Sequence, residues 1–488
     1  MTNNLKSNTV KAATWNFSKV VVSQVRNFVV STTLARLLLP ADFGLLGMAM
    51  IFAGFAGSFV DFGFGNAVIQ KQKVSDIQLS TIFWLNNILA VFLGAIMFLT
   101  APFVAKYFEM AALENITRIM SLTFVIKGLT TLQESLFRKE LNYKTLFKVE
   151  ITSGIISGVI GIYMAYNGFG VYSLIYSQIC GWLITTTLIW IFSSWKPSFT
   201  FNLKEVQPLW SFGYKYSLSV FIDSIFSRLD TIIIGKLFSA SILGVFYKAQ
   251  SLLKLVVYFA FNSLSGVLFP SLSKLNNDTI KLKNATYRIL HIVCFTTFLL
   301  SGLMYISADS IIIFLYTAKW SGSIPIFKLI VSFAFIITIP PILNAPVLSL
   351  GRSDKTLKVE IIKKSLYLFT IPIAIYFNLY YYIFSTIVAA CLGMLLNATL
   401  LVKYVNFNKL ELSKLFFSYL IPFVLISGCF TLFPFHIKNH FVNIVAQSLV
   451  YVFMYYIINF TFKNRGLSEV IEIINLLLSK FVRKIKPN

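Results

Sequence analysis

The stretch WNFSKVVVSQVRNFVVSTTLARLLLPADFGLLGMAMIFAGFAGSFVDFGFGNAVIQ, Trp15 to Gln70, decides the class of this chain. It reads as a helical hairpin. One helix climbs to Leu39, the corner Pro40-Ala41-Asp42-Phe43-Gly44 turns it, and a second helix runs through Asp61 to Asn66. Each arm reaches the roughly 20 apolar residues that cross a bilayer. The hairpin nevertheless holds Lys19, Arg26 and Asp61 at membrane depth, where an ionised side chain is costly unless it faces protein or water.

Working outward, composition makes lipid the solvent. Apolar residues fill 57% of the 488 positions, Phe alone occurs 49 times, and charged residues are 12%, about half the share of a soluble globular chain. A soluble protein of this length could not hide so much apolar surface. The net charge of +24 would point to nucleic acid in a soluble chain, but no basic, aromatic-bearing soluble module exists to bind it, and topology explains the charge better. Cys180, Cys294, Cys391 and Cys429 all fall in apolar spans with neither CxxC nor zinc spacing, so they read as small core residues. No cleavable signal is expected: Met1 to Ala13 is polar, and the apolar run after it exceeds a signal-peptide core.

Fourteen apolar runs of spanning length follow, at about 14–39, 44–68, 79–105, 116–137, 147–166, 170–192, 210–235, 243–269, 286–315, 323–350, 358–377, 380–402, 414–433 and 441–462. With both termini in the cytoplasm, the inside segments carry 28 Lys and Arg and the outside segments six, namely Arg36, Lys106, Arg118, Lys236, Lys319 and Lys438. A wrong span count would break that alternation. The expected fold is all-α: a polytopic bundle of about 14 transmembrane helices in two pseudo-symmetric six-helix lobes, with two extra C-terminal helices. The expected division is an N-lobe at 1–195, a cytoplasmic linker at 196–209, a C-lobe at 210–403, the two added spans at 404–462 and a basic amphipathic tail at 463–488. The tail either lies on the membrane surface or caps the bundle.

A faint repeat supports two lobes. Shifted by 200 positions, Arg36-Leu37-Leu38 falls on Lys236-Leu237-Phe238 and Gly44 on Gly244. Six spans separate the copies, so they share one orientation, as in parallel transporter repeats.

The intramembrane charges carry the functional argument. With loop residues set aside, Lys19, Arg26, Lys127, Lys215, Arg228, Lys248, Lys254 and Lys328 remain, against the acids Asp61, Glu134, Asp223 and Asp230. The basic excess is more than neutral pairing absorbs. Lys19 and Arg26 are seven residues apart and share one helix face, about 10 Å from one another. Asp223 and Asp230 line one stripe likewise. Spans five, six, eleven and twelve read as essentially uncharged. Lys19, Arg26, Lys127, Lys215, Arg228, Lys248 and Lys254 are the candidate substrate-binding cations, and Asp61, Glu134, Asp223 and Asp230 the candidate coupling or salt-bridge acids. Lys215, Lys248 and Lys328 also fit snorkelling near span ends. Glu134 and Arg138 fit a structural i,i+4 pair, and interhelical salt bridges are the alternative for the deeper groups. His436 and His440 lack a third ligand, so no metal and no cofactor are expected. Pro340-Pro341 would break span ten. No Ser/His/Asp or paired-carboxylate arrangement points to an enzyme.

Arg36-Leu37-Leu38-Leu39-Pro40-Ala41-Asp42-Phe43-Gly44, then Asp61-Phe62-Gly63-Phe64-Gly65 and Ile69-Gln70-Lys71, resembles the opening of bacterial polysaccharide transporters of the Wzx type. Gln133 to Leu141, Leu243 to Ala249 and Phe269 to Ser273 are similar to further stretches of that family. It belongs to the multidrug/oligosaccharidyl-lipid/polysaccharide exporter superfamily, and the likeness is nearest the colanic-acid and teichuronic-acid branch. The resemblance covers about residues 1–400. It implies a flippase of the bacterial cytoplasmic membrane that moves an undecaprenyl-diphosphate-linked oligosaccharide between leaflets by alternating access. A proton or sodium as coupling ion, and a polysaccharide polymerase with chain-length machinery, would be its partners beside membrane lipid. Arg26 and Arg228 would suit bidentate phosphate contact, with Lys19 and Lys254 as point charges. A multidrug antiporter of the same superfamily and a non-transporting scaffold are the rival readings; base rather than acid in the first helix argues against cationic drugs.

Overall fold

The computed structural model describes the chain apart from Met1, Phe62 and positions 473, 474, 476–478 and 480–488; side chains at 2–10, 13, 52, 53, 55–59, 208–222 and 262–267 also lie outside the described set. The described chain forms two compact units, Met1–Gly244 and Val245–Asn488. Among the described residues there is no strand.

In the first unit the helices are α1 (Thr2–Leu37), α2 (Pro40–Phe59), α3 (Phe64–Gln70), α4 (Asp76–Phe108), α5 (Ala112–Lys139), α6 (Tyr143–Tyr166), α7 (Val171–Phe192) and α8 (Leu203–Leu237). Helix α9 (Ala240–Val257) leads into the second, through a π-helical turn at Tyr258–Asn262 and α10 (Ser263–Ser273). There follow α11 (Thr279–Ile306), α12 (Ala308–Tyr316), α13 (Ser323–Ser332), α14 (Phe335–Thr338), α15 (Pro340–Ser349), α16 (Ser353–Leu368), α17 (Thr370–Tyr376), α18 (Leu379–Val405), α19 (Lys409–Leu432) and α20 (His440–Thr461). Each of the fourteen predicted spans coincides with one helix or one run of helices. Among the described residues, eight single helices, and a ninth formed by Ser323–Ser349 with a 50° bend, are long and apolar enough to cross a membrane. Among the spans that miss this strict test are α1, α5 and α8, the helices that carry most of the intramembrane charge.

Polar residues punctuate the chain. Ser75 and Gln78 form a capping box at α4, as Asn408 and Glu411 do at α19; Asn142, Asn202, Asp278, Asn378 and Asn439 cap α6, α8, α11, α18 and α20. Each supplies an acceptor for amide groups that the first helical turn leaves unmet.

Packing mixes polar and small residues with apolar ones inside, and large apolar side chains also face out. On α4 the buried face carries Gln78, Ser80, Thr81, Asn86 and Gly94 beside Ile82, Phe83 and Met97, while Phe92, Leu99 and Phe103 point outward. On α20 the buried residues are Asn443, Gln447, Tyr451, Tyr455 and Asn459, a strict four-residue repeat. Tyr451 and Tyr455 donate to the Phe298 and Phe295 carbonyls of α11 (3.1 and 3.2 Å), and Asn443 donates to Ser310 Oγ (2.8 Å). Lipid is as apolar as leucine, so polar and small side chains, rather than aliphatic ones, are what hold such helices together.

Two expectations need revision, and two polar segments prove docked. The second arm of the opening hairpin is not one helix: α2 ends at Phe59, and α3 starts after Gly63, whose φ of 76° only glycine adopts without strain. In span ten the 50° bend falls at residues 333–334. The Pro340-Pro341 pair instead opens α15, in the first-turn positions where a missing N–H costs nothing. The polar segment at 193–202 does not hang free. Trp84 Nε1 donates to the Ser198 carbonyl (2.9 Å), Ser80 Oγ bonds Ser198, and the Asn202 amide donates to Thr81 Oγ1 (3.0 Å), which lays it along the start of α4. In the second unit the start of the tail is docked: the Gly466 amide donates to Tyr419 Oη (2.8 Å), and Arg288 pairs with Glu469 and Glu472.

Candidate functional site

Lys19, Ser23 and Arg26 recur every three to four residues, so they form one stripe on α1. That stripe meets Glu150 on α6. Lys19 Nζ stands 3.3 Å from one carboxylate oxygen, Ser23 Oγ donates to the other at 3.0 Å, and Arg26 Nη1 donates to the Glu150 carbonyl at 2.5 Å. Arg26 also donates through Nε and Nη2 to Asn27 Oδ1 (3.2 and 2.9 Å). Glu150 sits within the fifth apolar run, which the sequence reading took as uncharged; that reading is corrected here. A second acid missing from the four weighed above is Asp309 in the ninth run, which pairs with Lys328 at 2.5 Å in the second unit. Both are single carboxylates diluted in a long apolar run. The signal that finds them is a search for a partner to each buried cation. With them counted, the basic excess in the spans shrinks but does not vanish.

Beside this stripe opens a cavity of about 560 Å³, bounded by α1, α2, α6 and α7. Arg26 and Glu150 stand on its wall with Ser153, Ser157, Gln178 and Trp182. Glycine makes the room: a Cβ on Gly154 would fall on the Arg26 guanidinium, and one on Gly158 would press on Val30. Lys127 joins from α5, its ammonium 5.5 Å from the Trp182 ring centre.

Arg228 repeats the Arg26 arrangement on another helix. Its Nη1 donates to the Met50 carbonyl of α2 (2.7 Å), and its guanidinium occupies the place a Cβ on Gly54 would take. In both cases the accepting carbonyl lies four residues before the glycine. That carbonyl also receives the glycine's own helical N–H, and its second lone pair takes the arginine. Only a residue without a side chain leaves that approach open.

The other predicted residues are dispersed. Asp61 occupies the α2–α3 break, where Oδ1 accepts the Gly65 amide at 2.9 Å; a Cβ on Gly65 would meet the Ser135 hydroxyl and this carboxylate. Glu134 pairs with Arg138 at 3.2 Å along α5, as the i,i+4 spacing predicts. Asp223 is exposed, Asp230 half-buried, and the Lys215 side chain lies outside the described residues. In the second unit Lys248 is 2% exposed beneath the Tyr316 and Trp320 rings (5.0 and 5.6 Å), enclosed rather than snorkelling. Lys254 is exposed, 6.0 Å from the Tyr247 ring centre. Among the described residues no group of three His, Cys, Asp or Glu is placed to hold a metal ion.

Residues 33–325 match the family described as polysaccharide biosynthesis protein. The chain belongs to the polysaccharide biosynthesis protein family. Within that family it is 25% identical over 371 residues to the lipopolysaccharide biosynthesis protein WzxC of Escherichia coli K12, covering 75% of this chain and 74% of that one. It is 24% identical over 355 residues to the teichuronic acid biosynthesis protein TuaB of Bacillus subtilis 168, covering 70% and 73%. The resemblance read from the opening hairpin is thereby borne out. Among solved structures, the lipid II flippase MurJ in an inward closed conformation superposes with a TM-score of 0.73 over 93% of this chain and 98% of that one, at 15% identity. An inward-facing multidrug resistance transporter of the MATE family and MOP superfamily gives 0.60 over 79% and 96%, at 12% identity. This member of the polysaccharide biosynthesis protein family therefore has the fold of those solved multi-pass helical proteins.

Proposed function

We propose that the chain is a flippase that carries an undecaprenyl-diphosphate-linked oligosaccharide, the repeat unit of a surface polysaccharide, from the inner to the outer leaflet of the bacterial cytoplasmic membrane by alternating access. Both termini are cytoplasmic in this reading. The observation that carries it is the basic stripe Lys19–Arg26 set beside a polar cavity within an otherwise apolar helix set. A diphosphate must leave water to cross hydrocarbon, and fixed cations with aligned donors replace its hydration.

Lys19 and Arg26 hold Glu150 in this state, so the incoming anion competes with that carboxylate for them. Lys127, Arg228 and Lys254 are the further cations proposed to meet the diphosphate along its path. Asp61, Glu134, Asp223 and Asp230, together with Glu150, are the groups proposed to take up a coupling proton or sodium. A polymerase with its chain-length machinery receives the cargo outside.

The test is leaflet exchange in proteoliposomes. A fluorescent undecaprenyl-diphosphate saccharide should cross in the presence of the chain and stay on one side with Arg26→Ala. Transport of cationic dyes without transport of the lipid-linked saccharide would replace this reading with the multidrug one.

A further inference from the structure

The wall of the cavity in the first unit is chemically divided. Its charged members, Arg26 and Glu150, stand together at one place, where the bonds already described tie them to α1 and α6. The remaining polar wall is neutral: Asn27 and Ser31 on α1, Ser153 and Ser157 on α6, and Ser177, Gln178 and Thr185 on α7, with the Trp182 indole among them. Two of those hydroxyls have their protons committed. Ser177 Oγ bonds the Ser157 carbonyl (2.7 Å) and Ser157 Oγ the Gly154 carbonyl (3.3 Å). A carbonyl can only accept, so in each bond the serine donates and turns lone pairs, not protons, toward the cavity.

That commitment discriminates between ligands. A diphosphate is an acceptor alone and would meet those serine lone pairs oxygen to oxygen. A sugar hydroxyl donates to them and accepts from the Gln178 amide. The apolar face of a pyranose ring has the Trp182 indole to lie on, and the volume is in the range of roughly 300–1,000 Å³ that small-molecule sites occupy. We propose that this cavity is a saccharide subsite, taking a neutral sugar residue of the cargo on Ser153, Ser157, Ser177, Gln178 and Trp182 while the diphosphate stays at the basic stripe. The assignment rests on the reading above that the cargo is a lipid-linked saccharide. It places the sugar next to Arg26.

The test compares two probes on the full chain in nanodiscs: undecaprenyl diphosphate bearing a glucose or an N-acetylglucosamine, and undecaprenyl diphosphate with no sugar. Gln178→Ala and Trp182→Leu are the first variants, since both side chains are only partly buried and their truncation leaves the helix packing in place. Ser177→Ala removes one hydroxyl as a further check, and each variant is required to be monodisperse. Each should weaken the sugar-bearing probe by about tenfold, the cost of one hydrogen bond lost with its partner left unmet, and leave the bare lipid diphosphate unchanged. Equal weakening of both probes, or of neither, overturns the subsite while leaving the transport reading standing. A wild-type chain that binds neither probe overturns the transport reading itself, and the subsite with it.

Discussion

Gly44 and Gly244 occupy reciprocal places in one helix crossing. A Cβ on Gly44 would overlap the Ala240 carbonyl, and a Cβ on Gly244 would overlap the Pro40 carbonyl. Ala240 stands 200 positions after Pro40, just as Gly244 does after Gly44. The first turns of α2 and α9 thus cross backbone to backbone, each glycine against the residue that opens the other helix. Contact at this distance leaves no space for any side chain. Gly44→Ala or Gly244→Ala should therefore each lower the melting temperature of the purified chain, with an overpacking cost of about 1–3 kcal/mol. The double variant should cost less than the sum, because the first substitution already parts the helices. Additive losses in a thermal-shift series would argue that the two glycines act at separate contacts.

Arg26 and Arg228 each need a glycine beneath them, so the glycine is as informative a target as the arginine. Gly154→Ala should reproduce the transport defect of Arg26→Ala, and Gly54→Ala that of Arg228→Ala, although neither removes a charge. Export of surface polysaccharide by cells carrying each variant reads this out. Normal export with Gly154→Ala would mean that the Arg26 position is not the one that matters for function.

Lys19 and Glu150 should behave as a pair. Removing either strands the other at membrane depth, where an unpaired charge costs about 2.5–3.5 kcal/mol or more. Lys19→Met and Glu150→Met should each destabilise the chain, and the double substitution should recover most of that loss in a melting assay. The same double variant should not transport, since it also removes the cation proposed to meet the cargo.

Outside the spans, Lys236 bonds Glu109 at 2.8 Å and holds its carboxyl below the usual carboxylate range. A carboxylate pKa lowered by folding stabilises the chain above its ordinary value and stops doing so as pH falls through the lowered one. Melting temperatures of the wild type and Glu109→Gln should differ at neutral pH and converge in acid. The gap should also narrow with added salt, because the carboxylate is fully exposed to solvent. A gap that widens in acid would contradict the assignment.

Much of this was legible beforehand because lipid imposes a strong rule: each spanning run must be helical and of bilayer length, so all fourteen could be read from hydropathy. The shared face of Lys19 and Arg26 followed from helical period. What escaped was whatever depends on a partner far along the chain. Glu150 lies 124 residues from Arg26, and nothing local marks it as the group that Lys19 and Ser23 seek. Gly154 and Gly54 looked like ordinary small residues of apolar helices until an arginine was found lying on each. The α2–α3 break at Gly63 was hidden because apolar runs of helical length lie on either side of Asp61-Phe62-Gly63. The four-residue polar repeat on α20 was readable, yet a search tuned to charge passes over Asn, Gln and Tyr.

That repeat bears on how the chain is made. Helix α20 is synthesised well after α11 and α12, and Asn443, Tyr451 and Tyr455 of its polar stripe find their acceptors on those two helices. Inserted alone, α20 would turn five polar side chains into hydrocarbon. Released after α11, it meets the Phe295 and Phe298 carbonyls already in place. The order of synthesis thus has the seat on α11 made before the helix that occupies it.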